Sequence, residues 1–381
     1  MLLNKEFFFT ISSFLNSYRR YNGLFGGEIP KVNYKVEGIM RYLKGFMFGC
    51  TLLLSSTTLV FADTGDTLKD VKTKGFIQVG VNGDLFGFGK ADQKGEWKGL
   101  DVDTARAVAV AIFGDYKDKV RYTPLTAKTR FTALQSKEID LLTRNATQTL
   151  SRDTALGLDF VQVNYYDGQG FMIPKALGVK SAHELDGATV CVLPGTTTEQ
   201  NAADFFRSND MDWKTVTIES TAELSQAFFA GRCDVMTSDA SQLAGIRASA
   251  PQPDQYTILP EIISKEPLAP AVRHGDNQWK DIVNYAVLAM INAEELGINS
   301  ENVDEMLKSN NPKIQRFLGV TPGNGEALGL DEKFAYNIIK KVGNYGEVFE
   351  RNVGVNTPLG IERGLNALWT NGGLMYSPPF K

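Results

Sequence analysis

Three polar segments of this sequence carry side chains that could bind a small charged molecule. The first runs from Arg144 to Arg152 and directly follows an apolar run that is typical of a strand. It combines hydroxyl and amide groups with a guanidinium, Arg152, that can hold a carboxylate through two parallel hydrogen bonds. In open α/β sheets, ligands bind at the carboxyl ends of the strands. The segment is therefore a candidate anion site, with a polar turn that caps a helix at Ser151 as the structural alternative.

The second and third segments offer complementary groups. Thr196 and Glu199 have the spacing of a capping box, and the free N–H groups at such a helix start attract anions. Asp239 follows another strand-like run and could accept hydrogen bonds from an ammonium group. Thr196 and Asp239 are also common N-cap residues, so each feature has a structural alternative. Together, the three segments fit the zwitterionic head of an amino acid.

The elements that must position these groups alternate along the chain. The strand-like runs are 76–81, 120–124, 139–142, 188–193, 216–219, 234–237 and 256–259. Segments of helical periodicity lie at 101–113, 129–137, 196–207, 220–232 and 277–293. This alternation predicts an α/β protein with mainly parallel sheets, and the length predicts two lobes. Pro174 and the stretch 260–270 are the predicted crossings between the lobes.

Composition excludes several classes of function. The chain of 381 residues has 40 Lys and Arg against 44 Asp and Glu, so a nucleic-acid partner is not expected. Only two histidines and three cysteines are available, which leaves little for a metal site or a histidine-based triad. We expect no metal and no cofactor.

The N-terminal part has the pattern of an export signal. Residues 40–62 combine a basic start, an apolar run and small residues before a cleavage site after Ala62, as in a secretory signal peptide. A membrane anchor is the alternative, and residues 1–39 form an upstream extension of open status. Export would leave two cysteines, Cys191 and Cys233, which predicts one disulfide. The strands that carry them lead to the second and third segments, so the two should be neighbours in one sheet.

The order of these motifs resembles a known family. Thr149-x-x-Arg152, Asp159-Phe160, Tyr166, Gly195-Thr-Thr197 and Asp239 occur as in the polar amino-acid-binding proteins of ABC transporters. A closer resemblance is to the general L-amino-acid binding proteins. It rests on the strings at 99–103, 166–171, 231–234, 259–267, 342–347, 363–369 and 372–376.

The resemblance implies a type II periplasmic binding protein fold, with two α/β lobes joined by two crossover segments. Lobe 1 would hold 63–168 and 270–381, and lobe 2 would hold 172–265. The α-carboxylate of the ligand would fall on Arg152, helped by Thr147 and by Thr197 at the helix start that Thr196 caps. The ammonium would fall on Asp239, with a contact near Asn145. The loop from Asn82 to Phe88 would line the side-chain end of the pocket.

The implied function is capture without chemistry. A monomeric periplasmic protein would bind L-amino acids of broad or polar specificity in the cleft between the lobes. Its closed form would deliver them to an inner-membrane ABC permease driven by a separate cytoplasmic ATPase, since this chain has no Walker A sequence. The alternative is a periplasmic enzyme on the same fold, a dehydratase of the cyclohexadienyl type. A third hypothesis is that the chain is the ligand-binding part of a receptor. The hypothesis is disfavoured because no C-terminal transmembrane run is visible.

Three positions depart from the family pattern. Val79 and Thr104 stand where the family commonly has cysteines, and their joint absence fits the loss of a bonded pair. Gln148 stands where the family tends to have Trp, inside the candidate ligand loop. That change leaves the groups for the amino-acid head intact and bears on the side-chain preference.

Overall fold

The computed structural model describes residues 67–381, which lie within one compact unit that begins at Asp63. The predicted signal peptide at 40–62 and the extension at 1–39 lie outside the described residues. The strands are β1 (Ile77–Val81), β2 (Asp84–Leu85), β3 (Gly89–Ala91), β4 (Trp97–Lys98), β5 (Val120–Pro124), β6 (Leu141–Leu142), β7 (Leu158–Phe160), β8 (Tyr165–Asp167), β9 (Gln169–Pro174), β10 (Ala188–Val192), β11 (Trp213–Thr217), β12 (Val235–Asp239), β13 (Tyr256–Ile258), β14 (Glu266–Leu268) and β15 (Ala271–Arg273).

Helices alternate with the strands and make up most of the regular structure after Arg273. The α-helices are α1 (Thr67–Lys74), α2 (Leu100–Phe113), α3 (Arg130–Gln135), α4 (Leu150–Thr154), α5 (Thr197–Ser208), α6 (Thr221–Phe229), α7 (Ala240–Ala248), α8 (Asn277–Glu295), α9 (Val303–Met306), α10 (Pro312–Phe317), α11 (Asn324–Leu328), α12 (Phe334–Lys341) and α13 (Tyr345–Asn352). The predicted α/β class is confirmed, but the sheets are mixed and not mainly parallel as expected, because β9 and β15 run antiparallel to their neighbours.

Two five-stranded sheets share one topology. In the first, the order is β5-β1-β6-β15-β7, with β1 parallel to β5 and β6, and β15 antiparallel to β6 and β7. In the second, the order is β11-β10-β12-β9-β13, with β10 parallel to β11 and β12, and β9 antiparallel to β12 and β13. We call the parts built on these sheets lobe 1 and lobe 2.

The two crossings between the lobes pair with each other. Strand β8 runs antiparallel to β14, with Asp167 opposite Glu266 and Tyr165 opposite Leu268. Pro174 instead ends β9 inside the second sheet, so the first crossing precedes the proline that was expected to mark it. Paired crossings form a short two-stranded ribbon, which lets two lobes rotate while their backbones stay connected.

Lobe 1 has the larger core because the C-terminal helices pack onto it. One cluster joins Val79 of β1 and Val108 of α2 to Trp279 of α8, Ile338 of α12 and Phe380 near the end of the chain. Gly99 directly precedes helix α2, and its φ of 136° and close approach to the Phe88 carbonyl leave no room for a Cβ.

The predicted disulfide between Cys191 and Cys233 is confirmed. Cys191 lies in β10 and Cys233 just before the parallel neighbour β12, with their Cα atoms 5.6 Å apart. The two strands that lead to the second and third polar segments are thus adjacent and covalently tied, and the carboxyl ends of both strands face the same edge of the sheet.

Candidate functional site

A small cavity lies between the carboxyl ends of the two sheets and collects most of the predicted residues. Lobe 1 contributes Ala127, Arg130, Arg144, Asn145 and Thr147; lobe 2 contributes Leu193, Thr196, Thr197, Thr198, Ser238, Asp239 and Gln242. The lobes touch across it. Asn145 Nδ2 donates to Gln242 Oε1 over 3.2 Å, and Lys128 forms an ion pair with Glu219 nearby.

Asn145 is held in an unusual backbone conformation at the end of β6. Its φ is 30°, and its N–H donates to Asp101 Oδ2 at the start of α2 over 2.8 Å. Its side chain also accepts a hydrogen bond from Asn82 Nδ2 over 3.1 Å, so the ends of β1 and β6 are joined. Positive φ at a non-glycine residue is strained, and such residues concentrate at functional sites.

Arg152 is buried and fixed, not solvated as the polar-turn alternative required. Thr149, instead of Ser151, caps α4 by accepting a hydrogen bond from Arg152 N. The guanidinium is part of a residue only 8% exposed, donates through Nη1 to Thr147 O over 2.8 Å and lies over the Phe131 ring. It does not itself line the cavity, but it is close enough to Asp239 and Glu266 to interact with their charges.

Thr196 acts as the N-cap of α5. Its hydroxyl accepts a hydrogen bond from Glu199 N over 3.1 Å and donates to Leu193 O over 2.7 Å. The Glu199 carboxylate accepts from Gly195 N, one residue before the position a capping box would use. The side chain of Thr196 is thereby committed to the helix, and the start of α5 faces the cavity.

Asp239 precedes α7 but its carboxylate does not cap that helix. No hydrogen bond reaches this buried carboxylate from the residues at 67–381, so the cap alternative fails. Burial raises the pKa of Asp239 well above its usual range, and the carboxylates of Asp167 and Glu266 add to the rise. A cationic group in the cavity would stabilise the ionised form of the Asp239 carboxylate.

Glu266, in the second crossing, was missed by sequence reasoning. Its side chain is 1% exposed, and Oε2 accepts hydrogen bonds from the hydroxyls of Thr147 and Thr197, at 2.5 and 2.9 Å. Oε1 accepts from Asn201 and Ser264, at 2.8 and 2.6 Å. One carboxylate therefore connects lobe 1, lobe 2 and the crossing. It accepts the one hydrogen bond that each threonine hydroxyl can donate.

Arg130 and Arg144 were also missed as site residues. Both are buried, and burial lowers the pKa of each, that of Arg144 to about 10. Arg144 Nε donates to Leu125 O over 2.7 Å. The signal in the sequence was the basic residue directly after β6; nothing local singles out Arg130, which opens a helix like many solvated residues.

Phe88 and Gln148 are not brought to the cavity, whereas Asn82 and Arg152 contact its lining residues without lining it themselves. Phe88 packs in the core of lobe 1 with its ring 5.2 Å from Tyr165, because the turn between β2 and β3 directs it inward. Gln148 is exposed, and its N–H donates to Pro267 O in the second crossing. Val79 is buried in β1, and the Thr104 hydroxyl donates to Leu100 O within α2.

Among residues 67–381, no group of three or more His, Cys, Asp or Glu side chains is arranged to hold a metal ion. Within the same span, no helix is long and apolar enough to cross a membrane. The cavity instead presents cationic nitrogens, a helix start and one free carboxylate.

Comparison with known proteins agrees with this arrangement. The profile of the bacterial extracellular solute-binding proteins, family 3, matches residues 77–301. A general L-amino acid-binding periplasmic protein of Rhizobium johnstonii is 57% identical over 84% of this chain and 94% of its own. A glutamate/glutamine/aspartate/asparagine-binding protein of Rhodobacter capsulatus is 54% identical over 89% of this chain and 99% of its own.

The solved structures agree on the fold. A periplasmic binding protein of an ABC transporter from Brucella ovis, with glutathione bound, is 55% identical, with a TM-score of 0.81, over 83% of this chain and 99% of its own. The predicted two-lobe type II fold is thereby confirmed. An ancestral amino acid-binding protein, a precursor of cyclohexadienyl dehydratase, is more distant, at 28% identity and a TM-score of 0.52 over 63% of this chain.

Proposed function

Because this chain belongs to family 3 of the bacterial extracellular solute-binding proteins, we propose that it captures L-amino acids for an ABC importer. The observation that carries the proposal is the Asp239 carboxylate, buried and without a hydrogen-bond donor among the described residues, in a cavity whose wall also holds two buried arginines, Arg130 and Arg144. An ammonium group is the natural partner of that carboxylate, and a carboxylate is the natural partner of the arginines. An α-amino acid carries both.

The proposed head-group contacts follow the resemblance. Arg152 takes the α-carboxylate on lobe 1, with Thr147 beside it and the start of α5 at Thr197 added from lobe 2. Asp239 takes the ammonium, with Asn145 close by. Since the Thr147 and Thr197 hydroxyls donate to Glu266, the ligand carboxylate would be held by N–H and guanidinium groups.

The proposed cycle is capture and delivery. The mature protein begins at Asp63 after signal-peptide cleavage, works in the periplasm as a monomer and closes lobe 2 (172–265) onto lobe 1 (63–168 and 270–381) around the ligand. The closed form docks on an inner-membrane permease with a separate ATPase. The Brucella ovis relative holds glutathione, whose γ-glutamyl end carries the same ammonium and carboxylate, so γ-glutamyl peptides belong among the candidate ligands.

Calorimetry of protein starting at Asp63 tests the proposal. The protein is unfolded, dialysed and refolded to remove bound molecules, then titrated with each of the twenty L-amino acids and with glutathione. Saturable one-to-one binding of amino acids is expected, and analogues that lack the ammonium or the α-carboxylate should bind far more weakly. Absence of heat with all twenty would refute the proposal. Turnover of a cyclohexadienyl substrate would instead favour the dehydratase.

A further inference from the structure

Glu266 accepts hydrogen bonds that join the second crossing to lobe 2 at a distance from the ligand. Neither Glu266 nor its partner Asn201 is among the residues that line the cavity. Asn201 lies on α5, one turn beyond Thr197, and both side chains reach the buried carboxylate. Asn201 Nδ2 is 2.8 Å from Oε1, and Thr197 Oγ1 is 2.9 Å from Oε2. These two bonds hold α5 against the crossing without the help of a ligand.

The strand that carries Glu266 is fixed to lobe 1. Thr147, in the loop after β6, forms an antiparallel bridge with Leu268, and Gln148 N donates to Pro267 O over 2.9 Å. Thr147 also donates its hydroxyl hydrogen to the Glu266 carboxylate. Rotation of lobe 2 about the crossings would therefore leave Glu266 and Thr147 together and carry α5 away from them.

The stability of the closed form depends directly on the donors from α5. In the closed form, Glu266 is almost completely buried, so no bulk water can replace a missing donor. A buried carboxylate that loses one hydrogen bond is destabilised by more than the bond itself contributes when water can take its place. The start of α5, where Thr197 is the first helical residue, also favours a negative charge beside it.

We propose that Glu266 and Asn201 are positioning residues that hold lobe 2 closed by a contact that works with or without ligand. The contact adds the same free energy to closure around every ligand. It therefore sets the overall affinity and the rate of release, while the cavity sets the choice of ligand. The predicted effect on affinity rests on the proposed function, whereas the predicted effect on the ligand-free protein does not.

Asn201→Leu and Asn201→Asp test the contact with glutamine and serine as ligands. Asn201→Leu removes one donor and should raise both Kd values on the order of tenfold. Asn201→Asp places a second carboxylate against Glu266 and should raise both on the order of a hundredfold at pH 8, where a shared proton is least favoured. The change should appear in the dissociation rate, measured by stopped-flow chase, and the association rate should not fall.

An exchange of donor and acceptor separates this contact from a general loss of packing. In Asn201→Asp combined with Glu266→Gln, the amide oxygen can still accept from Thr147 and Thr197, which now share Oε2. The amide nitrogen would face the position of Oε1 and donate to the new carboxylate. The double variant should return both Kd values to within about tenfold of wild type.

Gln200→Leu is the matched control. Gln200 precedes Asn201 on α5, is exposed and has no side-chain hydrogen bond among residues 67–381. This variant should change neither the Kd values nor the radius of gyration. In small-angle scattering without ligand, Asn201→Asp should have a larger radius of gyration than wild type, and the double variant should be as compact as wild type.

The outcomes separate this inference from the proposed function. Unchanged dissociation rates in Asn201→Asp overturn it, as does a loss that the exchange with Glu266→Gln does not reverse. Weaker binding of only one of the two ligands would make Asn201 a specificity residue and also overturn it. If thermal melts show that Asn201→Asp does not fold, Asn201→Leu decides by the same rates. Wild type that binds no amino acid would overturn the proposed function, and the ligand-free radius of gyration would then decide this inference alone.

Discussion

Amino-acid binding should release a proton from Asp239. In the closed cavity, burial and the carboxylates of Asp167 and Glu266 raise the pKa of Asp239 well above its usual range, which favours the protonated carboxyl when no cation lies beside it. The ammonium of the ligand favours the ionised carboxylate. Binding and deprotonation are therefore linked, and the proton must leave before the ion pair forms.

The direction and the size of the change in Kd with pH follow from that linkage. At pH values below the pKa that Asp239 has in the free protein, each unit of increase in pH lowers the free energy needed to deprotonate its carboxyl. The Kd should fall by at most about tenfold per pH unit, or about 1.4 kcal/mol, because one proton leaves for each ligand bound. Above that pKa the Kd should become independent of pH. Affinity should thus rise as the pH rises and then level off.

Calorimetry between pH 5 and pH 8, in pairs of buffers that differ in their enthalpy of ionisation, measures the released proton directly. Asp239→Asn should abolish the release and weaken all amino acids by about 3–5 kcal/mol, as expected for loss of one partner from a buried ion pair. Asp159→Asn is the control, since Asp159 is buried but pairs with Lys280 over 3.1 Å and His274 over 3.2 Å. A wild-type Kd that does not vary with pH, together with tight binding by Asp239→Asn, would refute the reasoning.

Three further predictions test the head-group site, the closure and the disulfide. Arg152→Ala should weaken every amino acid about equally, by roughly 10²–10⁴ in Kd; calorimetry that finds loss of one ligand class alone would contradict its role. Gly245→Val should impair closure with all ligands, because a Cβ at this position in α7 already meets the Phe86 carbonyl of lobe 1 at 3.0 Å; small-angle scattering should show less ligand-induced compaction. Replacing Cys191 and Cys233 together by serine should lower the free energy of unfolding by at most about 4 kcal/mol relative to the oxidised wild type, measured by urea denaturation, and the reduced wild type is the control that should resemble the variant.

The parts of the site that local sequence could predict are those at strand ends. Asn82, Asn145 and Asp239 each follow an apolar run, and the topology brings carboxyl ends of parallel strands to one edge. The same logic placed the two cysteines together. Phe88 failed because it lies in the three-residue turn between β2 and β3, where one step of register exchanges the core for the surface.

Arg130 and Glu266 could not be found this way because their environments are tertiary. Glu266 stands between a lysine and a proline in a segment that has the composition of an exposed turn. It is buried because β14 pairs with β8 and because donors from both lobes converge on it. Arg130 is buried because lobe 2 covers the start of α3. No helical or strand periodicity encodes either contact.

Glu266 also changes which groups can recognise the ligand. The hydroxyls of Thr147 and Thr197 were expected to donate hydrogen bonds to the ligand carboxylate. Each hydroxyl can donate only one, and both donate to Glu266. The oxygens that remain are acceptors, which would weaken and not strengthen carboxylate binding. Recognition of anionic groups must then fall on N–H donors at the start of α5 and on the guanidinium groups. We expect a cleft that has Arg130 and Arg144 in its wall and few free hydroxyl protons to select its ligand by charge, so the acidic amino acids are the ligands to test first.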